Sequence, residues 1–441
     1  MLNVPLPEAF VESIRMNSPF DHKLIDALNE AAPISIRVNP RKVEAKDLSR
    51  LRQVPWCQMG YYLEERPSFT LDPCYHAGVY YAQEAASMVL FDLIKQLRLS
   101  EGTRVLDLCA APGGKTSAML DALPPNSVVL ANEINRHRSN ILAENLGKWG
   151  VDNVLVSNDS PEAFTSLVNY FDVVLVDAPC SGEGMFRKDN NARSEWKPDS
   201  PVLCAVRQTE LLGHVIQSVK PGGYLVYSTC TFNQLENEDQ ITQLLADGSF
   251  ELVSWNLPSA CVPGRNKLGH YFLPGTTESE GLYVAVLRKK GTLTRSLEID
   301  PILASKDSIF GLVLAENQVL MEDRTGIHLL NKEVFFLLKS IDSPLRIIKK
   351  GVKIAEHSPK GWIPYHELAL LNSAEIDIKQ IALTEREALQ YLRGETFPVE
   401  AQETGFYMVT YNQMGLGFVK HLGNRFNNLY PKEWRIRMHL S

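Results

Sequence analysis

The run RVLDLCAAPGGKTSAM, residues 104–119, reads as a buried strand, a glycine turn and the start of a helix. Four further short apolar, β-branched runs follow, separated by helical patterns: SVVLANE (127–133), NVLVSND (153–159), FDVVLVDAP (171–179) and GGYLVYSTC (222–230). Helices are expected from about Lys115, from Arg136 to Trp149, and from about Leu203 to Val219. Strands that alternate with helices specify an α/β fold, a doubly wound parallel sheet whose strand ends open into one ligand-binding crevice. A last helix from about Asn237 to Ala246 is followed by FELVSW (250–255) and GLYVAVLRKK (281–290), which read as a terminal strand pair.

Upstream, QEAASMVLFDLIKQLR (83–98) repeats apolar residues at helical spacing and ends at the turn Ser100-Glu101-Gly102. Downstream of Lys290 the alternation stops. Short apolar runs there mix with turns such as Asp323-Arg324-Thr325-Gly326 and Lys349-Lys350-Gly351, as in a small α/β or mainly β module. Thr384 and Glu387 stand in capping-box register at the start of a helix reaching Leu392. It leads to GFYMVTYNQMGLGFVKHLGNRFNNLYPKEW (405–434), whose strand alternation and glycine turns suggest a compact β domain. The expected division is 1–100, 101–290, 291–380 and 381–441.

The 441 residues carry 45 Lys+Arg against 52 Asp+Glu, a net charge of −7, which excludes an indiscriminate polycation. The charge is uneven: residues 101–290 hold 16 basic against 22 acidic side chains, and residues 406–441 hold 5 against 1. That last segment also contains Phe406, Tyr407, Tyr411, Phe418, Phe426, Tyr430 and Trp434. Interleaved cations and rings suit unpaired RNA, although such aromatics in a small β domain are more often core than contact. Apolar residues make up 44%, with no run near the roughly 18 residues a membrane helix needs and no basic-then-apolar leader, so a cytoplasmic protein is expected. The seven cysteines contain no C-x-x-C pair; neither a disulfide framework nor a metal site is expected.

Gly113 and Gly114 let backbone approach a ligand, and Pro112 stiffens the turn. A triphosphate loop is disfavoured because Cys109 stands where its first glycine belongs. Glu133, Asp159 and Asp177 close the second, third and fourth strands. An acid after the second strand can accept from ribose hydroxyls. Three acids facing a ligand without a run of phosphates favour a cationic nucleoside, a description met by S-adenosylmethionine. Cys180 follows the fourth strand in VDAPCSGEGMFRKD, and Cys230 follows the fifth in YSTCTFNQLENED, so both thiols should open onto the same crevice.

APGGKT, DAPCSGEGMFRKD and STCTFNQLENED, together with YYAQEAASM and GLYVAVLRK, resemble the motifs of the Nop/Sun family of RNA cytosine-5 methyltransferases. The Met-Phe-Arg-Lys extension and the PKEW tail, which resembles a PUA-like domain, are similar to the RsmF-like bacterial branch acting on 16S ribosomal RNA. The resemblance implies a Rossmann-like class I methyltransferase core, a small N-terminal RNA-binding domain, and C-terminal α/β and PUA-like β modules. It implies that Cys109, Ala110, Ala111, Pro112, Gly113, Gly114, Lys115, Glu133, Asp159 and Asp177 contact the cofactor. By the same resemblance, Cys230 is the nucleophile and Cys180 helps release the product.

Carbon 5 of cytosine is a poor nucleophile, so a thiolate must add to carbon 6 before the methyl can be taken. A free thiol is only a few per cent ionised at neutral pH, and local activation is expected. Asp177 could hydrogen-bond the base edge and stabilise the adduct. The target base must be flipped or already unpaired. Arg187, Lys188, Arg193 and Lys197 follow Cys180, and Arg37, Arg41 and Lys42 sit together in SIRVNPRK; these two clusters are expected to grip RNA phosphates. Three alternatives stay open: Cys180 as the attacking thiol, as in DNA cytosine methyltransferases; a transfer-RNA substrate; and a non-catalytic ribosome-assembly factor.

Overall fold

The structure is a computed structural model that describes residues 4–16, 23–43, 48, 50–292, 309–341, 345–371, 375–397 and 403–438. At its centre lie five parallel strands, β1 (Arg104–Asp107), β2 (Val128–Asn132), β3 (Val154–Ser157), β4 (Phe171–Asp177) and β5 (Val219–Thr229). An antiparallel β6 (Leu282–Lys289) adds to β5, and Phe250–Leu252 pairs with the far end of β6 as the sequence suggested. The order across the sheet is β6-β5-β4-β1-β2-β3. Winding reverses between β1 and β4, which places the ligand crevice at the ends of those two strands.

Side-chain alternation along the strands builds a core on each face. Leu106, Leu130, Val174, Val176 and Leu225 face helices α3 (Ser200–Val215) and α4 (Glu238–Leu245). Val105, Val129, Ala131, Leu175 and Val226 face the helix Val89–Gln96, α1 (Gly114–Ala122) and α2 (Arg136–Trp149). Each such valine or leucine contributes about 1.5–3 kcal/mol by leaving water. The bounds of α2 match the sequence expectation, because the Asn135 side chain accepts from the backbone N of His137 and Arg138 and Gly150 takes a left-handed φ of 73°. The helix expected over 83–98 is shorter: the Glu84 carboxylate accepts from the backbone N of Ala86 and Ser87 at 2.9 Å and sets a later start. That helix, Val89–Gln96, packs into the central core although it lies within the segment 1–100.

The N-terminal segment forms an antiparallel sheet in the order Arg52–Gln53, Gly60–Leu63, Ile34–Val38, Tyr80–Ala82. Arg37 joins it to the central domain. Fully buried, its guanidinium donates to Gln83 Oε1 at 2.8 Å, to Ser117 Oγ and to the buried Asp121 carboxylate, and it stacks 4.5 Å from the Trp149 ring.

Within the stretch expected to be a small α/β or mainly β module, 291–380, Gln318–Asp323, Gly326–Asn331, Val352–Ser358 and Gly361–Pro364 form an antiparallel sheet. Residues 293–308 of that stretch lie outside the described residues. β7 (Ile347–Lys350) leaves the module and pairs antiparallel with β3, extending the central sheet. Thus Lys349 and Lys350, read from sequence as part of a turn, are strand residues, and the turn is made at Gly351 with φ of 46°. The final module begins with Gln380–Ala382, parallel to Gly405–Tyr411, followed by Met414–His421 and Phe426–Asn428. Its helix carries the capping box of Thr384 and Glu387. Tyr407, Phe418 and Tyr430 of the aromatic tail are core residues, and Tyr430 packs with Ala77 of the N-terminal segment. Among the described residues, no helix is long and apolar enough to cross a membrane.

Candidate active site

Two cavities open at the ends of β1 and β4. One, of about 500 Å³, is lined by Asn132, Glu133, Ile134, Arg138, Pro161 and Leu211 among others. A second, of about 370 Å³, is lined by Gln83, Glu84, Asp107, Ala110, Ala111, Pro112, Gly114, Lys115 and Lys188 among others. Cys109, Asp177, Ala178, Met185 and Cys230 border both. The expected cofactor loop is held by α2: Arg138 donates to Ala111 O and Asn145 to Pro112 O, both at 2.8 Å. Gly113 turns the loop with φ of 107°, and a Cβ on Gly114 would lie 3.1 Å from the Tyr81 ring.

Glu133 is nearly buried, accepts from Asn135 N at 2.9 Å and lies 3.3 Å from Arg138. Beside it, Ile134 is 61% exposed, offering an apolar surface at the rim. Asp159 does not line either cavity. Both its carboxylate oxygens accept from Arg346 N at 3.0–3.2 Å, since the strand added next to β3 occupies that side. The expectation that Asp159 faces the cofactor is corrected on this geometry.

Asp107 escaped the sequence reading. Its Oδ2 accepts from Thr116 Oγ1 at 2.7 Å, while Oδ1, fully buried, has no partner among the described residues. Burial pushes its pKa up to about 7. An orphaned buried carboxylate oxygen in a cavity next to a nucleoside-sized one fits a ligand carrying a cationic donor, as S-adenosylmethionine does through its ammonium.

Asp177 Oδ2 accepts from Lys115 Nζ and Oδ1 from Ser228 Oγ, each at 2.8 Å. Burial works against the Lys115 charge, and the adjacent Asp177 more than offsets it, so that the lysine pKa rises. Cys180 Sγ and Cys230 Sγ lie 3.2 Å apart. The contact with Cys180 lowers the Cys230 pKa; burial and Asp177 oppose this, while Lys115 and Lys188 assist. Cys180 is pushed up by the same contact, by burial and by charge from Glu236. The other cavity-lining thiol, Cys109, is raised by burial.

The two basic clusters are largely structural. Arg37 is buried against Asp121, Arg41 also pairs with Asp121, and Lys42 donates to Ala77 O, its pKa lowered by burial to about 7. Buried Arg193 donates to the carbonyls of Phe186, Val4 and Leu28. Arg187 donates to Ser279 O at 3.0 Å and is mostly covered. Lys188, exposed, pairs with Glu280, and Lys197 is exposed. Phosphate contact is therefore corrected for Arg37, Lys42, Arg187 and Arg193: carbonyls and carboxylates within the protein already take their donors.

Three family models match in succession: the N-terminal domain of 16S rRNA methyltransferase RsmF over residues 6–85, 16S rRNA methyltransferase RsmB/F over 94–288, and the methyltransferase RsmF PUA domain over 378–436. The ribosomal RNA small subunit methyltransferase F of Serratia proteamaculans is 32% identical, over 97% of this chain and 96% of the relative. That of Escherichia coli K12 is 30% identical, over 98% and 96%. Among solved structures, a methyltransferase homolog protein from Pyrococcus horikoshii is 30% identical with a TM-score of 0.53, over 60% of this chain and 90% of that one. NSun6 from the same organism, crystallised with SFG, superposes with a TM-score of 0.56 over 65% of this chain and 99% of that one; at 20% identity it shows the shared fold. By near-full-length identity and three consecutive domain matches, the chain belongs to the RsmF family of S-adenosylmethionine-dependent ribosomal RNA methyltransferases.

Proposed function

We propose that the protein methylates carbon 5 of cytosine in 16S ribosomal RNA through a covalent Cys230 adduct at carbon 6. The observation that carries this reading is the pair of thiols in contact at 3.2 Å, Cys230 on the wall shared by the two cavities and Cys180 on the larger one, beside the Lys115–Asp177 pair. A thiol-free site would suit methylation of a base nitrogen or a ribose hydroxyl, which need no attack on the ring.

S-adenosylmethionine, when bound, supplies a methyl group on a sulfonium. Glu133 would hold the ribose, Ile134 the flat face of the base, the 109–115 loop the amino-acid end, and Asp107 the ammonium. Cys230, the more acidic thiol, attacks carbon 6. Lys115 and Asp177 hold the polar edge of the cytosine and offset charge pushed into the ring. After methyl transfer the carbon-5 proton passes to a solvent base, the electrons of that C–H bond re-form the carbon 5–carbon 6 double bond, and the bond from Cys230 sulfur to carbon 6 breaks, with Cys180 assisting by hydrogen-bonding the departing thiolate. The RsmF name of the full-length relatives favours 16S over transfer RNA. Labelled methyl transfer into 16S RNA, assembled small subunits and transfer RNA tests the choice: 5-methylcytidine is expected in the first or second, and label confined to transfer RNA overturns it.

If Asp107 holds the ammonium, its ionised form is the binding form. Its pKa of about 7 then makes cofactor affinity fall as the pH drops below 7, by up to about tenfold per unit. Isothermal titration at pH 6 and 8 checks this, and Asp107→Asn should bind weakly with a flat pH profile. For RNA, Lys197→Ala is expected to make the log affinity against log salt slope shallower by about 0.7, the value of one phosphate contact on a single strand. Arg193→Ala should leave that slope unchanged while lowering the melting temperature.

A further inference from the structure

We infer that Glu236 is a positioning residue, which locks the loop after Cys180 to the loop after Cys230 so that the two thiols meet and Cys230 is the one that reacts. The inference rests on the assignment of Cys230 as nucleophile and adds what enforces it.

Glu236 is completely buried. One carboxylate oxygen accepts from Ser181 N and Gln208 Nε2, each at 2.9 Å. The other accepts from Ser181 Oγ and from Asn233 Nδ2, the latter at 2.6 Å. Ser181 directly follows Cys180, and Asn233 lies three residues after Cys230. The backbone of Glu236 is itself anchored, its N donating to Asn233 Oδ1 at 3.0 Å and its carbonyl accepting from Tyr227 OH on β5 at 2.6 Å. Glu183 makes a second tie, accepting from Phe232 N at 2.8 Å and Asn233 Nδ2 at 3.1 Å. Gly184 N donates to Cys230 O at 2.7 Å, at a spot where a Cβ would lie 2.8 Å from that oxygen.

Among the described residues Glu236 has no cationic partner; its charge is held by four donors. Negative charge next to Cys180 disfavours a second anion there. Cys180 therefore keeps its proton and donates it toward Cys230. A glutamine of the same shape has one acceptor oxygen and an NH2 group, which would face donors on whichever side it pointed. Ser181 would then be released and the charge that distinguishes the thiols lost.

The test is competitive alkylation of the full-length protein with iodoacetamide at pH 7, without RNA, quantified by peptide mass spectrometry. In the wild type, Cys230 should react faster than Cys180 by about tenfold or more, the effect of a one-unit pKa gap. In Glu236→Gln the ratio is expected to fall to within about twofold, and kcat to fall by about tenfold or more with the KM for cofactor little changed. Ser181→Ala removes one donor without emptying the network and should narrow the ratio partway, which keeps the test open if the first variant does not fold. A wild-type preference for Cys230 that persists in both variants overturns the role of Glu236 alone. Faster alkylation of Cys180 in the wild type overturns the underlying assignment and the inference with it.

Discussion

Replacing Cys230 with alanine is expected to lower methyl transfer by on the order of 10⁴-fold or more and to leave no covalent RNA adduct, while Cys180→Ala accumulates an adduct that survives denaturing electrophoresis. The asymmetry follows from the geometry. The two Sγ atoms are 3.2 Å apart, so one thiol can donate to the other, but only one can be the acceptor. The contact with Cys180 lowers the Cys230 pKa, and Cys230 also receives help from Lys115 and Lys188. Without Cys230 nothing adds to carbon 6, and carbon 5 stays too electron-poor to take the methyl. Without Cys180, attack remains possible but expulsion of the bound sulfur is slowed, and the covalent species persists. Binding of RNA and cofactor should change little in either variant. Adduct in Cys230→Ala and none in Cys180→Ala would reverse the roles and bring the site into line with the DNA cytosine enzymes.

Arg37→Ala is expected to destabilise the protein by about 3–5 kcal/mol, the cost of breaking a buried ion pair. At about 2–4 °C per kcal/mol for a domain of this size, the melting temperature should fall by roughly 10 °C. Arg37 and Asp121 are both inaccessible to solvent, and the guanidinium also serves Gln83, Ser117 and the face of Trp149. Its loss would leave Asp121 with Arg41 and the Trp149 N–H, and would loosen the N-terminal sheet from α1 and α2. Differential scanning fluorimetry checks the shift. If Arg37 instead gripped phosphate, the melting temperature would hold and the salt slope of RNA binding would flatten by about 0.7.

Arg37 also marks where sequence reading stops. SIRVNPRK looks like a basic loop, and what buries its first arginine is Asp121, 84 residues further on. No local pattern reports such a partner. The same holds for Arg193, whose acceptors include carbonyls near the N-terminus, and for β7, whose pairing with β3 is a choice of sheet edge. By contrast, features encoded within a few residues were legible. The Asn135 cap and Gly150 stop fixed α2, Thr384 and Glu387 capped the last helix, and five apolar runs became β1 to β5. The two cysteines were legible because a strand end in this architecture has only one place to point. Glu236 was hidden in the acidic run LENED, where a buried carboxylate cannot be told from a solvated one, although its neighbours Glu238 and Asp239 sit on the same stretch. The net charge of −7 is better understood as well: four of the seven cations in the two clusters are committed to the fold, leaving Arg41, Lys188 and Lys197 exposed.

Bisulfite sequencing of 16S RNA tests cytosine-5 methylation most directly. RNA or small subunits lacking the modification would be incubated with S-adenosylmethionine and either wild-type protein or Cys230→Ala. At least one cytosine is expected to resist conversion after wild-type treatment and to convert fully after treatment with the variant. Complete conversion of every cytosine while labelled methyl still enters the RNA would contradict the account, since the methyl would then sit on another atom.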